Sequence, residues 1–485
     1  MRLALRGWVA WLLVGLGALS ALVCAALAGL YSAGYFAPEP PAVVVVDAPT
    51  AITYPTLPPT WTASPTPSDT PIPSPTATRT PTPTPSLPPP NAAMAADMDI
   101  IARQVSDLRG LPLQGANPSY LVERDRVEEV LRGLVLSPDL KAELEDQKLV
   151  LSTLGLVKPT YDLVKYALNR RADNIGGFYL PWTKAMYVIG SDFGGIERFV
   201  YSHEFDHALT DAHFHIDEMG VYPLCLSNAQ RCDAIRALVE GDATLLMEQW
   251  WQQYATPRDY DDILDYEPSR QTVPEEFPPP YVSRDLAFPY DYGYEFVNYL
   301  YERGNWAAVD RAYADLPQST EHILHPALYL AGEAPLDVSL PPLAGVLGEE
   351  WRLVDDDVLG EWMTFLILGY GADVSAHLPD ADAWRAANGW GGDHYQVYHS
   401  AATGATVLVA RWAWDSQRDA DEFAQTLRQY QEQRFRGGQV VGTEGACWES
   451  NGQASCQFSS AGQSLWLLAP SQTVLNDVLV EFPDF

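Results

Sequence analysis

The sequence predicts an α+β fold, and three observations lead to it. Apolar residues recur at helical spacing through Met94–Leu108, Val122–Leu136 and Ser137–Gly155. The runs Gly177–Thr183 and Ala185–Ile189 instead read as two short strands joined by a turn. Beyond residue 335 strand patterns return at His394–His399 and Ala405–Trp412, followed by a helical stretch from Ser416 to Phe435. The first region is therefore mainly helical with a small edge sheet, and the second is a smaller α+β module.

Two segments of different character precede the folded part. From Gly7 to Ala37 there is no charged residue, and Trp8–Leu30 is long enough to cross a bilayer as a helix. Arg2 and Arg6 come before it, whereas the first charges after it are Glu39 and Asp47. By the positive-inside rule, residues 1–37 are a cytoplasmic tip and anchor in the plasma membrane, with the rest of the chain outside. A signal peptide cleaved near Tyr31-Ser32-Ala33 is the alternative and would give a secreted protein; the apolar run exceeds a usual signal core and favours the anchor. Cys24 does not read as a lipidation site, because Ala21-Leu22-Val23 lacks the small residues expected before one. Residues 38–91 are a Pro/Thr/Ser-rich linker, as in Thr80-Pro81-Thr82-Pro83-Thr84-Pro85. Such a composition cannot bury a core and reads as an extended spacer between membrane and folded domains.

The folded part divides into residues 92–334 and 335–485. Within the first, Tyr161–Ala172 continues the helical run, a helix starts at about Ile196, and Cys232–Trp251 is a second. Tyr292–Arg303 and Ala307–Ala314 are further helices. In the second, Ser416 and Asp419 have capping-box spacing at the head of a helix, and strands lie around 447–456 and at Leu465–Leu468.

A chain of 485 residues, 47% hydrophobic, buries more than one core. With 30 basic against 63 acidic residues and a net charge of −33, it repels nucleic acid and anionic lipid headgroups, which argues against either as a partner. Of the five cysteines, Cys24 lies in the apolar segment; Cys225 with Cys232 and Cys447 with Cys456 are close pairs. Outside the cell these form two short-loop disulfides, the alternative being four free thiols.

Residues 203–207 read His-Glu-Phe-Asp-His, and Glu240-Gly241-Asp242-Ala243 follows downstream. Histidines at i and i+4 of a helix point the same way, so one metal ion can bind both, and Glu204 sits where it can take a proton from water at that ion. Ile196, Phe199, Val200, His203 and His207 share one stripe, which turns the histidines inward. Glu240 is the first choice of third ligand, with Gly241 removing a side chain where two helices must come close. His213 competes, since the spacing of His203, His207 and His213 matches a three-histidine site, but that arrangement wants glycine where this chain has Thr210. Asp206 and Asp211 are candidates to hold a histidine ring from behind. His325 and Tyr292 are candidates to stabilise an oxyanion.

These residues resemble the gluzincin metallopeptidases, the clan containing thermolysin. More narrowly, the stretch from Tyr201 to Phe214 is similar to a group of largely uncharacterised bacterial proteins with a His-Glu-x-x-His-Ala-Leu-x-Asp-x-His-Phe core. That group also shows an Ala-Leu-x-Glu-Gly-Asp-Ala segment, matched at residues 237–243, and a Ser-Thr-Glu-x-Ile-Leu-His-Pro string, matched at 319–326. Its glutamine before the third histidine is Ala212 here. The similarity runs from about residue 95 to the C-terminus.

The resemblance implies a zincin-like fold for residues 92–334, Zn2+ held by His203, His207 and Glu240, and Glu204 as general base. The expected protein is a membrane-anchored extracellular zinc metallopeptidase acting on a peptide or protein substrate, with the hairpin at 177–189 offering it an edge strand. A variant of this reading confines the enzyme to one dedicated protein partner. The rival is a cell-surface interaction protein whose zinc domain is structural or catalytically silent; a purely structural site has no use for Glu204.

Overall fold

The computed structural model describes residues 87–115, 117–134, 138–164, 177–190, 193–222, 225, 228–262, 278–436, 439–441, 445–450 and 452–485. The expected membrane anchor, nearly all of the Pro/Thr-rich linker and most of the Tyr161–Ala172 stretch lie outside the described residues. Among the described residues no helix is long and apolar enough to cross a membrane.

The fold is α+β with two sheets. Helix α1 (Ala92–Arg109) starts at Asn91, whose side chain accepts from the amides of Ala93 and Met94 at 3.0 Å each. It ends at Gly110, in the left-handed region at φ 75°. Strand β1 (Ser119–Val122), helices α2 (Val127–Leu134) and α3 (Pro138–Leu154), and the hairpin β2 (Gly177–Leu180) and β3 (Ala185–Ile189) follow. In this sheet β3 is central, parallel to β1 and antiparallel to β2. Helix α4 (Gly195–Phe214) packs against it, α5 (Ala229–Tyr254) packs on α4, and α6 (Pro280–Gly304), α7 (Trp306–Ala314) and α8 (Thr320–Leu324) follow in turn on α5 and α6.

The second sheet joins β4 (Trp351–Asp357), β5 (Trp390–Ser400), β6 (Thr406–Trp414), β7 (Gln439–Val441), β8 (Gly445–Ser450), β9 (Gln453–Ser460) and β10 (Gln463–Ala469). Its order is β4-β5-β6-β10-β9-β8-β7, antiparallel throughout. Alternate residues serve opposite faces, as a pleated strand requires. Trp412, Trp466 and Leu468 join a core with α9 (Gly360–Gly369), α10 (Asp380–Ala387) and α11 (Gln417–Phe435). Val407, Val409, Leu465 and Leu467 join a separate core under α12 (Gln472–Leu479).

The first of these cores continues without interruption into α5 and α6, through Trp362, Phe288, Phe296 and Leu238. Polar contacts cross the same junction and satisfy helix ends. Asp357 accepts from the Ala229 amide at 2.9 Å, at the start of α5, and Arg434 donates to the carbonyls of Thr153 and Leu154 at the end of α3. Asp393 holds the start of α9 by accepting from the amides of Leu359 and Gly360 at 2.7 Å each.

Both expected disulfides are present, Cys225–Cys232 and Cys447–Cys456, the second joining facing residues of β8 and β9. They fit an oxidising, extracellular compartment. Two expectations change. Val122–Leu136 is not one helix: Ser119–Val122 pairs with β3, and the helix begins at Val127. Helix α6 begins at Pro280 rather than near Tyr292, because proline at the first helical position gives up an amide that has no partner there.

Candidate metal centre

Helix α4 carries the His-Glu-Phe-Asp-His motif. Its first turn is capped from within, where the amide of Gly194 donates to Glu197 at 3.0 Å, and from outside, where that of Gly195 donates to Asp262 at 2.8 Å. His203 and His207 follow one turn apart and are buried, 7% and 8% exposed. Helix α5 packs against α4 and brings Glu240 to them. Behind Glu240, α5 meets α6 at a glycine crossing: a Cβ on Gly241 would lie 2.1 Å from the Gly293 oxygen, and one on Gly293 would lie 2.2 Å from the Ala237 oxygen. Only hydrogen fits at either position.

Three ligand atoms converge there. Nε2 of His203 lies 3.1 Å from Glu240 Oε2 and 3.1 Å from Nε2 of His207, which is 3.3 Å from the same oxygen. Zinc bonds of about 2.0–2.1 Å to nitrogen and oxygen put the corners of a tetrahedron about 3.3–3.4 Å apart. The observed triangle fits one face of such a tetrahedron. Among the described residues this trio is the group of metal-ligating side chains that converges in this way. With no metal bound, the trio behaves as an ion pair. Burial works against charge on His207, but Glu240, with Glu204 and Asp206, outweighs it and lifts the imidazole to about 9. Burial likewise works against charge on Glu240, and the two histidines still hold it well below the usual carboxylate range.

Glu204 stands beside the trio on the same helix. Its Oε2 accepts the backbone amide of Tyr179 on edge strand β2 at 2.7 Å. Tyr179 also donates its hydroxyl to Asp211 at 2.6 Å, so one residue pins β2 to α4 at two points. Asp211 takes a further bond from Lys184 Nζ at 2.8 Å. Asp211 therefore secures the hairpin and does not hold a histidine ring. Asp206 is fully buried, and neither of its oxygens has a hydrogen-bond partner among the described residues. The Nδ1 atoms of His203 and His207 share that state.

The structure does not bring His325 to the trio. Its Nε2 pairs with Glu361 of α9 at 3.0 Å, and the charges that act on it are those of Glu361 and Glu333. Tyr292 packs on Phe288 and Trp362 and accepts from Arg284 at 3.1 Å. His213 donates from Nε2 to the Pro112 carbonyl at 2.8 Å. The residue that sequence reasoning missed is Tyr290, whose ring centre lies 6.2 Å from that of His203 and which is 46% exposed. It stands on α6 three residues before the Gly293 crossing, and only that crossing shows which tyrosine of α6 meets the site.

Residues 350–479 match the model of a family described as a domain of unknown function (DUF8575). The matched segment holds the whole second sheet and lies outside the trio. No curated protein and no solved structure matches the chain.

Proposed function

We propose that the chain is a membrane-anchored extracellular zinc metallopeptidase of zincin-like fold, hydrolysing a peptide or protein substrate. His203, His207 and Glu240 hold the zinc, and Glu204 is the general base. The observation that carries the reading is the buried triangle of two imidazole nitrogens and one carboxylate oxygen, with edges of 3.1, 3.1 and 3.3 Å, beside a second carboxylate. When bound, zinc supplies a Lewis acid that polarises a carbonyl and makes water acidic enough to lose a proton near neutrality. The chain's own residues do the rest. The Tyr179 amide holds Glu204 through Oε2, leaving Oε1 to accept the proton of the attacking water and pass it to the departing amine. Strand β2 is an edge, and in an antiparallel pair a residue's N–H and C=O face the same way. The Tyr179 carbonyl, like its amide, therefore faces away from β3, where an extended peptide can pair with it. Tyr290, whose ring centre lies 6.2 Å from that of His203, takes the oxyanion-stabilising role first assigned to His325 or Tyr292.

The test compares zinc-loaded wild type with Glu204→Gln against a mixed peptide library read by mass spectrometry. The expected result is cleavage by wild type and none by the variant, with equal zinc in both. Cleavage that survives the substitution removes Glu204 from its role. Zinc-loaded wild type that cleaves nothing in the library overturns a broad peptidase and leaves the single-partner enzyme and the interaction protein as the two readings.

A further inference from the structure

We propose that Arg109, the last residue of α1, is a positioning residue that sets the geometry of the metal trio. It makes no contact with the trio in sequence or motif, yet four helices meet around its guanidinium. Arg109 is 1% exposed. Its Nε and Nη2 bind the two oxygens of Asp242 on α5 at 3.0 Å each, and its Nη1 binds Asp310 on α7 at 2.7 Å. The guanidinium lies 4.5 Å from the centre of the Trp306 ring and 5.9 Å from that of Phe214, the last residue of α4. Tyr313 stacks on Phe214 with centres 4.4 Å apart and donates its hydroxyl to Asp242 at 2.9 Å.

The arrangement ties both metal-bearing helices to one group. Asp242 comes two residues after Glu240, so a fork that fixes Asp242 also fixes the rotation of α5 about its axis. A turn of roughly 10° would swing a carboxylate ~6 Å off that axis by about 1 Å, against a tolerance of about 0.2 Å in metal–ligand distance. On α4, Asp206 is the residue before His207, is fully buried, and accepts no hydrogen bond among the described residues. The tie from Arg109 to this helix is its guanidinium against the ring of Phe214, 5.9 Å away. A carboxylate pair at Asp242 needs the planar fork of arginine, which lysine cannot reproduce.

This inference rests on the reading that His203, His207 and Glu240 hold zinc, and its test reads metal binding rather than activity. Wild type, Arg109→Met, Arg109→Lys and Asp242→Asn are compared in the full chain. Zinc affinity is measured by competition with a chromophoric chelator, and site geometry by the visible spectrum of the cobalt-substituted protein. Arg109→Met is expected to weaken zinc by about 10–100-fold and to shift the cobalt bands, with partial recovery in Arg109→Lys. A folded Arg109→Met that binds zinc within twofold of wild type, with an unchanged cobalt spectrum, overturns the proposal. Should Arg109→Met fail to fold, Asp242→Asn decides on the same two criteria. Wild type that binds no zinc fails the underlying reading before any variant is compared.

Discussion

Gly241→Ala reverses the sign that helix propensity alone assigns to it. In the open interior of a helix, alanine is favoured over glycine by about 1 kcal/mol. At position 241 the added Cβ would lie 2.1 Å from the Gly293 oxygen and 2.3 Å from its carbonyl carbon, where real contacts begin near 3.0 Å. Helices α5 and α6 must therefore part by about 1 Å, and both surfaces there are backbone that cannot rotate aside. Overpacking of this kind costs about 1–3 kcal/mol, and a rigid backbone clash belongs at the upper end. Set against the gain in propensity, the net loss is about 2 kcal/mol. Glu240 is the adjacent residue, so the same shift carries its carboxylate out of register with the histidines and weakens zinc at least about tenfold, or 1.4 kcal/mol. Urea unfolding of the metal-free protein and chelator competition measure the two effects. Gly345→Ala is the control, since a Cβ there meets nothing within 4 Å. A Gly241→Ala protein as stable as wild type, with wild-type zinc affinity, would refute the argument.

Three further outcomes are expected. His213→Ala should leave zinc content unchanged, because that ring is engaged by the Pro112 carbonyl; loss of zinc would return it to the ligand set. Glu240 raises His207 to about 9 in the metal-free protein, so the pair adds stability that is complete below pH ~6.5, the free histidine value, and is lost as pH rises through about 9. That loss is up to about 3 kcal/mol, and thermal melts across this range should show it in wild type but not in Glu240→Gln. Parallel curves for the two proteins would contradict it. Asp393→Asn should destabilise by about 2 kcal/mol in urea at pH 7.5, because a neutral amide cannot accept from all three of the Leu359 amide, the Gly360 amide and the Trp390 indole. Burial pushes Asp393 up to about 6, so the carboxylate is ionised at that pH and all three donors are matched. An unchanged unfolding midpoint would show that the start of α9 needs no such clamp.

What the sequence revealed was mainly local. The two histidines are one helical turn apart, the hairpin strands are separated by a four-residue turn, and each disulfide closes a loop short enough to see by eye. The helix after Ser416 was equally plain from its cap, where Ser416 Oγ accepts the Asp419 amide. What stayed hidden depends on distant segments. Strand β1 pairs with β3 across some sixty intervening residues, and its short apolar run blends into the helical pattern that follows. Arg109 meets Asp242 at a separation of 133 residues, with no pattern in either segment to announce it. Tyr290 and Tyr292 are two residues apart and so face nearly opposite sides of α6. Which of them meets the metal centre is set by the Gly241–Gly293 crossing. Tyr292 faces the aromatic cluster at Trp362 instead, and the same long-range packing draws His325 to Glu361. Pro280 and Pro289 masked the true length of α6, since one suits a helix start and the other lies within it.

The most direct test of the metal centre is zinc content per chain in protein purified without chelators, with Glu240→Ala prepared in parallel. One zinc per wild-type chain is expected, and markedly less in the variant. No zinc in the wild type, or the same zinc in both, would contradict it.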